Sequence, residues 1–163
     1  MHTVLLFCAM ITKSEVCDMK SEYTYDGSRT FNIKKVKTDE TSLCNNREIA
    51  EKRMQENEQE LDELQQKLYA EKKEGLIIVF QAMDAAGKDG TITHVLQCLS
   101  PHGVYEAAFK SPSSTELAHD FLWRVVQKVP AKGEIAIFNR SHYEDVLVTQ
   151  VHHMEDGYAM PKR

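Results

Sequence analysis

No stretch of this 163-residue sequence reaches the roughly eighteen consecutive apolar residues that a membrane-spanning helix needs, so a soluble chain with no membrane partner is expected. A basic excess is also missing. The formal net charge is −5, which excludes broad electrostatic binding to nucleic acid and requires any anionic ligand to be gripped by a local site. Cysteine is sparse: Cys8, Cys17, Cys44 and Cys98 show neither metal-like spacing nor the pattern of a small secreted domain. They read as free thiols in a reducing, cytoplasmic setting. With 42% hydrophobic residues the chain can build one core, and one domain is the upper bound.

The most informative stretch, residues 76–90, is also defined partly by what it lacks. Leu76 to Phe80 is a continuous apolar, β-branched-rich run of the kind that both-face burial in a parallel sheet produces, and Gly75 breaks the helix before it. It runs into a loop of small residues, Ala82, Ala85, Ala86, Gly87 and Gly90. Such a loop opens where α/β sheets bind their ligands, and its backbone N–H groups, with the amino end of the next helix, can approach phosphate oxygens. Lys88 adds a mobile full charge. The standard phosphate loop reads Gly-x-x-x-x-Gly-Lys-Ser/Thr; here Ala82 replaces the first glycine and Asp89 the metal-ligating hydroxyl. The competing reading is an ordinary strand-turn-helix junction with an exposed lysine. Asp84 inside the loop would repel phosphate unless a divalent cation lay between them, which points to Mg²⁺; its alternative is a cap on its own backbone.

Toward the amino end, residues 4–11 are apolar and of signal-peptide length, yet no basic residue precedes them and no convincing cleavage site follows. A buried strand, or translation from a start upstream of the true one, is favoured. Residues 1–44 are read as a polar arm with this short apolar start, and residues 45–163 as the folded domain. Asn45 to Lys73 has helical periodicity, with Ile49, Met54, Leu61, Leu64 and Leu68 near one face and an Asn45/Glu48 capping box. It is expected to pack on its own domain; a partner coiled coil would need more heptads.

Beyond the loop, Thr91 to Leu99 continues as helix and Val104 to Phe109 reads as a strand. Ser113 and Glu116 form a capping box for one helix carrying Leu117, Phe121, Leu122, Val125 and Val129. Ile135 to Phe138 is a third strand, and the alternation predicts a doubly wound parallel α/β sheet. That strand ends in Asn139-Arg140-Ser141-His142-Tyr143-Glu144. Asn139 offers an amide oxygen where a metal-shell carboxylate is usual, and Arg140 a planar fork for phosphate. Ser141 with Glu144 is a capping box, which leaves Glu144 open between a structural and a catalytic role.

Gln81-Ala-Met-Asp-Ala-Ala-Gly-Lys-Asp-Gly-Thr-Ile92, Phe109-Lys-Ser-Pro112, Glu116 to Arg124 and Phe138 to Val148 resemble the successive signature blocks of the polyphosphate kinase 2 family. The likeness spans about Arg47 to His152, including Leu68-Tyr69-Ala70. It implies a P-loop kinase-like fold similar to thymidylate kinase, and Mg²⁺-dependent phosphoryl transfer between inorganic polyphosphate and a nucleotide: AMP, ADP or ATP. By the same likeness, Asp84 organises metal and acceptor phosphate; Asn139, from its place at the end of the third strand, is the second metal ligand. Lys88 and Arg140 are the catalytic cations. Ala85, Ala86, Gly87, Lys88, Asp89 and Gly90 form the phosphate-binding loop, with Lys110 and Arg124 as further basic positions unless they pair with an acid such as Asp120. The Asn-Arg-Ser-x-Tyr-Glu form looks more like members that phosphorylate AMP, or AMP and ADP. Family members continue well past the position matching His152 into a basic lid, so the chain reads as an amino-terminal portion, incomplete at the carboxyl end, with self-association expected from an exposed sheet edge. An ATP-dependent nucleotide kinase and an inactive phosphate-binding remnant are the alternatives.

Overall fold

The computed structural model describes residues 6–9, 30, 32, 46–82 and 85–148. Its elements run β1 (Leu6–Ala9), α1 (Arg47–Glu71), β2 (Leu76–Gln81), α2 (Lys88–Leu96), β3 (Val104–Ala108), α3 (Ser114–Leu117), α4 (Trp123–Val126) and β4 (Ile135–Asn139), followed by one π-helical turn, Glu144–Val148. The sheet order is β1-β2-β4-β3. β4 is parallel to β2 on one side, with Leu76 opposite Ile135, and to β3 on the other, with Val104 opposite Ile135. The parallel sheet expected from the alternation is therefore present with three strands. The apolar start adds a fourth strand, β1, which runs antiparallel along β2 with Leu6 opposite Gln81.

The period-2 alternation of side chains in a strand divides the core into two layers. Ile78 and Phe80 of β2 and Ile135 and Ile137 of β4 face Ile92 of α2, with Leu68 of α1 packed against them. Val79 of β2 and Ala136 and Phe138 of β4 face the other way, onto Ala107, Phe109 and Val125. Burial on both faces is why these strands read as unbroken apolar runs.

Helix α1 starts one residue later than expected. Asn46, not Asn45, is the N-cap, its side chain accepting from Glu48 N–H at 2.8 Å, so Glu48 sits too early to close a capping box. Only the carboxyl half of α1 packs on the sheet: Gln65 is buried and Leu68 joins the core, whereas residues 47–57 are exposed throughout, Ile49 and Met54 included. Gly103 accepts this docking because a Cβ there, already at φ 74°, would lie 2.5 Å from the Tyr69 ring.

The single helix expected from Ser113 onward is broken in two. Its capping box forms, with Ser113 N–H donating to Glu116 Oε2 at 2.7 Å and Glu116 N–H to Ser113 Oγ at 3.3 Å. Asp120 then interrupts the ladder: its carboxylate accepts from Leu122 N–H at 2.9 Å and its carbonyl from Trp123 N–H at 2.8 Å, a local competitor to helix continuation. Leu117, Leu122 and Val129 are consequently exposed, and Val125 carries the packing. Among the described residues no helix is long and apolar enough to cross a membrane. Cys98 is a free thiol whose pKa burial pushes up, an unreactive setting. Cys17, Cys44 and most of the polar arm lie outside the described residues.

Candidate functional site

The carboxyl ends of β2, β4 and β3 lie side by side, which gathers residues far apart in sequence at one edge of the sheet. From β2 the chain turns through Ala85, at φ 60°, and Gly87, at φ 86°, into α2. Gly87 is the N-cap and makes no side-chain cap hydrogen bond, so the first N–H groups of α2 are not closed off by a capping side chain. Ala85, Ala86, Gly87, Lys88, Asp89 and Gly90 are thus placed where the helix opens. Asp84, the expected metal residue, lies outside the described residues, as does Met83.

Lys88 and Asn139 are brought together. The Lys88 ammonium donates to Asn139 Oδ1 and to Asp89 Oδ1, the latter at 2.7 Å. Asn139 Nδ2 donates in turn to Asp89 Oδ1 at 2.9 Å and to Glu106 Oε1 at 2.7 Å. The Lys88 hydrogen bond, then that from Asn139, holds the Asp89 carboxyl below its usual range. This is a set of hard oxygens beside a cation, the donor chemistry that suits Mg²⁺ completed by phosphate oxygens. Among the described residues no group of three or more His, Cys, Asp or Glu could hold a metal ion.

Arg140 follows directly, in the left-handed region at φ 67°, its N–H donating to the Phe80 carbonyl at 3.0 Å. A non-glycine residue held there is strained, and such strain is stored where a side chain must be aimed. Its guanidinium lies 3.6 Å from Glu144 Oε2, while Gln81 Nε2 donates to Glu144 Oε1 at 2.5 Å. The expected Ser141/Glu144 capping box is therefore not formed: the Glu144 carboxylate is drawn to Gln81 and Arg140, and the turn winds as a π-helix.

Lys110, exposed just past β3, lines a groove of about 190 Å³ with Ser111, Glu116 and Lys128. Arg124 borders it too, but its guanidinium is buried against Asp145; Asp120, the neighbour expected from sequence, caps Leu122 instead. Glu106, Gln81 and Asp145 had escaped the sequence reading. A signal existed only for Glu106, a carboxylate in the middle of an otherwise apolar strand.

His142, beside the site, stacks on Tyr143 with ring centroids 4.5 Å apart, and its Nδ1 is buried with no hydrogen-bond partner. Burial lowers its pKa from 6.5, against the opposing charge of Asp145. Just below 6.5 the unfolded imidazole takes up a proton that the folded one still resists, so stability falls as pH drops through that window. Calorimetry between about pH 7.5 and 5.5 should show a decline in Tm that His142→Gln reduces. Equal declines in both proteins would remove His142 as the cause.

Residues 44–162 match the family model described as polyphosphate kinase 2. The AMP/ADP-polyphosphate phosphotransferase of Meiothermus ruber is 43% identical over 143 residues, 87% of this chain and 54% of that protein. The ADP-polyphosphate phosphotransferase of Rhodopseudomonas palustris is 54% identical over 92 residues, 56% of this chain and 32% of that protein. The crystal structure of polyphosphate kinase 2 from Arthrobacter aurescens TC1 superposes with a TM-score of 0.71 at 39% identity, covering 80% of this chain and 47% of that one. The chain spans about half or less of the length of these relatives.

Proposed function

The chain belongs to the polyphosphate kinase 2 family, and from that premise we propose that it transfers phosphoryl groups between inorganic polyphosphate and a nucleotide, with AMP and ADP as acceptors. The observation that carries this reading is the pairing of Lys88 with Asn139 at the uncapped amino end of α2, with Arg140 next in the chain after Asn139. The Asn139-Arg140-Ser141-His142-Tyr143-Glu144 sequence and the name of the Meiothermus ruber relative support the choice of acceptor.

In the reaction an acceptor phosphate oxygen bonds to the terminal phosphorus of polyphosphate as the bridging P–O bond breaks, leaving a chain one phosphate shorter. The work of the protein is alignment and charge neutralisation. The N–H groups of Gly87 to Gly90 receive phosphate oxygens, and Lys88 exchanges Asn139 Oδ1 for one of them. Arg140, aimed by its backbone and steadied by Glu144, meets the charge that develops on the transferred group. Mg²⁺, when bound, supplies positive charge between the phosphates; Asp84 and Asn139 would hold it, with Asp89 adjacent.

The test is transfer from polyphosphate to AMP and ADP with Mg²⁺, with ATP as rival donor and Lys88→Ala as control. Turnover from polyphosphate that vanishes in the variant supports the reading. Turnover from ATP alone would replace it with an ordinary nucleotide kinase.

A further inference from the structure

We propose that Arg124 and Asp145 form a positioning lock for Lys110, so that Arg124 acts on an anionic ligand through that lysine and does not touch phosphate itself; the ligand half of this inference rests on the phosphoryl-transfer reading above. The geometry is specific. Arg124 Nη2 donates to both oxygens of Asp145, at 3.1 and 3.0 Å, and Nη1 donates to the Lys110 carbonyl at 2.8 Å. The guanidinium carbon lies 5.5 Å from the Phe109 ring centroid. The side chains are 7% and 2% exposed. A planar fork engaged on two sides and stacked on a third has little left to offer a substrate.

What the arrangement joins matters more than what it stabilises. A buried ion pair adds little stability compared with apolar packing of the same volume, so orientation is the better account of its presence. Arg124 comes from α4, Lys110 from the loop after β3, and Asp145 from the π-helical turn Glu144–Val148 that follows Arg140 in the chain. The lock therefore ties the Lys110 backbone to the segment carrying Arg140. With its carbonyl held, Lys110 is aimed into the groove it shares with Ser111 and Lys128, at a set distance from the other cations.

A direct phosphate ligand and a lock predict opposite signs for one substitution. Asp145→Asn removes a negative charge near an anion site, and on charge alone tripolyphosphate should bind more tightly. If Asp145 positions Lys110, binding weakens. The experiment measures tripolyphosphate affinity by calorimetry, and amide hydrogen exchange of residues 109–113 and 85–90, in the wild type, Asp145→Asn, Lys110→Ala and the double variant. The expected result is about tenfold weaker binding in each single variant with little further loss in the double, because the two residues act as a unit. Exchange in 109–113 should rise about tenfold while 85–90 stays unchanged, marking a local opening. Unchanged or tighter binding in Asp145→Asn, additive losses, or unaltered exchange in 109–113 would overturn the proposal. Should Asp145→Asn fail to fold, Arg124→Lys, which keeps the charge but loses the fork, is read in the same way. If the wild type binds no tripolyphosphate, the phosphoryl-transfer reading fails, and the exchange data alone decide whether the lock exists.

Discussion

Lys88→Ala is expected to lower phosphoryl transfer by about two to three orders of magnitude, the usual effect of removing one charge-stabilising donor from a preorganised site. Folding should hardly register it. The lysine's partners, Asn139 and Asp89, sit at the open end of the sheet, where water replaces a lost ammonium, and Asp89 itself is 81% exposed. One physical signature separates this variant from a misfolded one. Asp89 owes its lowered pKa first to Lys88 and next to Asn139, so in folded Lys88→Ala its carboxyl rises toward 3.8 yet stays below it, whereas a misfolded chain loses both effects. Initial rates from polyphosphate, read beside an NMR titration of Asp89, check both halves of the prediction. Near-normal turnover in the variant would remove Lys88 from the mechanism, whatever the titration shows.

The largest expected loss of stability comes from Phe138→Ala. Phe138 is 2% exposed on the central strand β4 and meets Phe109 edge to face, with ring centroids 5.0 Å apart at 65°. Emptying such a position costs about 3–5 kcal/mol, from lost transfer energy together with the cavity left behind. A domain of this size has only about 5–15 kcal/mol in total, so a large part of its stability would go. Urea denaturation should show a midpoint shift of that size, and Phe138→Leu a much smaller one, of about 1.5 kcal/mol or less. A loss below about 1 kcal/mol in the alanine variant would mean that the layer formed with Phe109, Ala107 and Val125 is far less tightly packed than its burial indicates. Function would suffer as well, since the next two residues along the strand are Asn139 and Arg140.

β2 and β4 were legible because both-face burial leaves an unbroken apolar run, β3 from its place in the alternation, and the junction after β2 because small residues and a glycine follow that run. Where local and tertiary forces competed, the sequence was silent or misleading. Two adjacent asparagines, Asn45 and Asn46, offer equivalent caps to the same helix, and one residue of offset changes what Glu48 can do. The apolar spacing from Leu117 to Val129 is helical throughout, yet one carboxylate, Asp120, turns the chain at a cost that no periodicity reveals. The partner of Arg124 could not be found by proximity in sequence. Asp120 was near, but Asp145 arrives only when β4 is laid beside β3. The Gln81–Glu144 bridge is hidden for the same reason, because its two ends meet only across β2 and β4.

The strand order β1-β2-β4-β3 has a consequence for how this site comes into being during synthesis. Among the described strands no two neighbours form a hairpin, and β4, which follows both β2 and β3 in the chain, lies between them. A nascent chain that has not yet released Ile135 to Asn139 carries the 85–90 loop and the Lys110 loop on two strands that have nothing between them. Loop closure over such separations is slow, and the facing edges of β2 and β3 stay unpaired until β4 is inserted. The 85–90 loop, the Lys110 groove and the parallel sheet are therefore brought into register by one strand, and none of them is complete before Ile135 to Asn139 is in place.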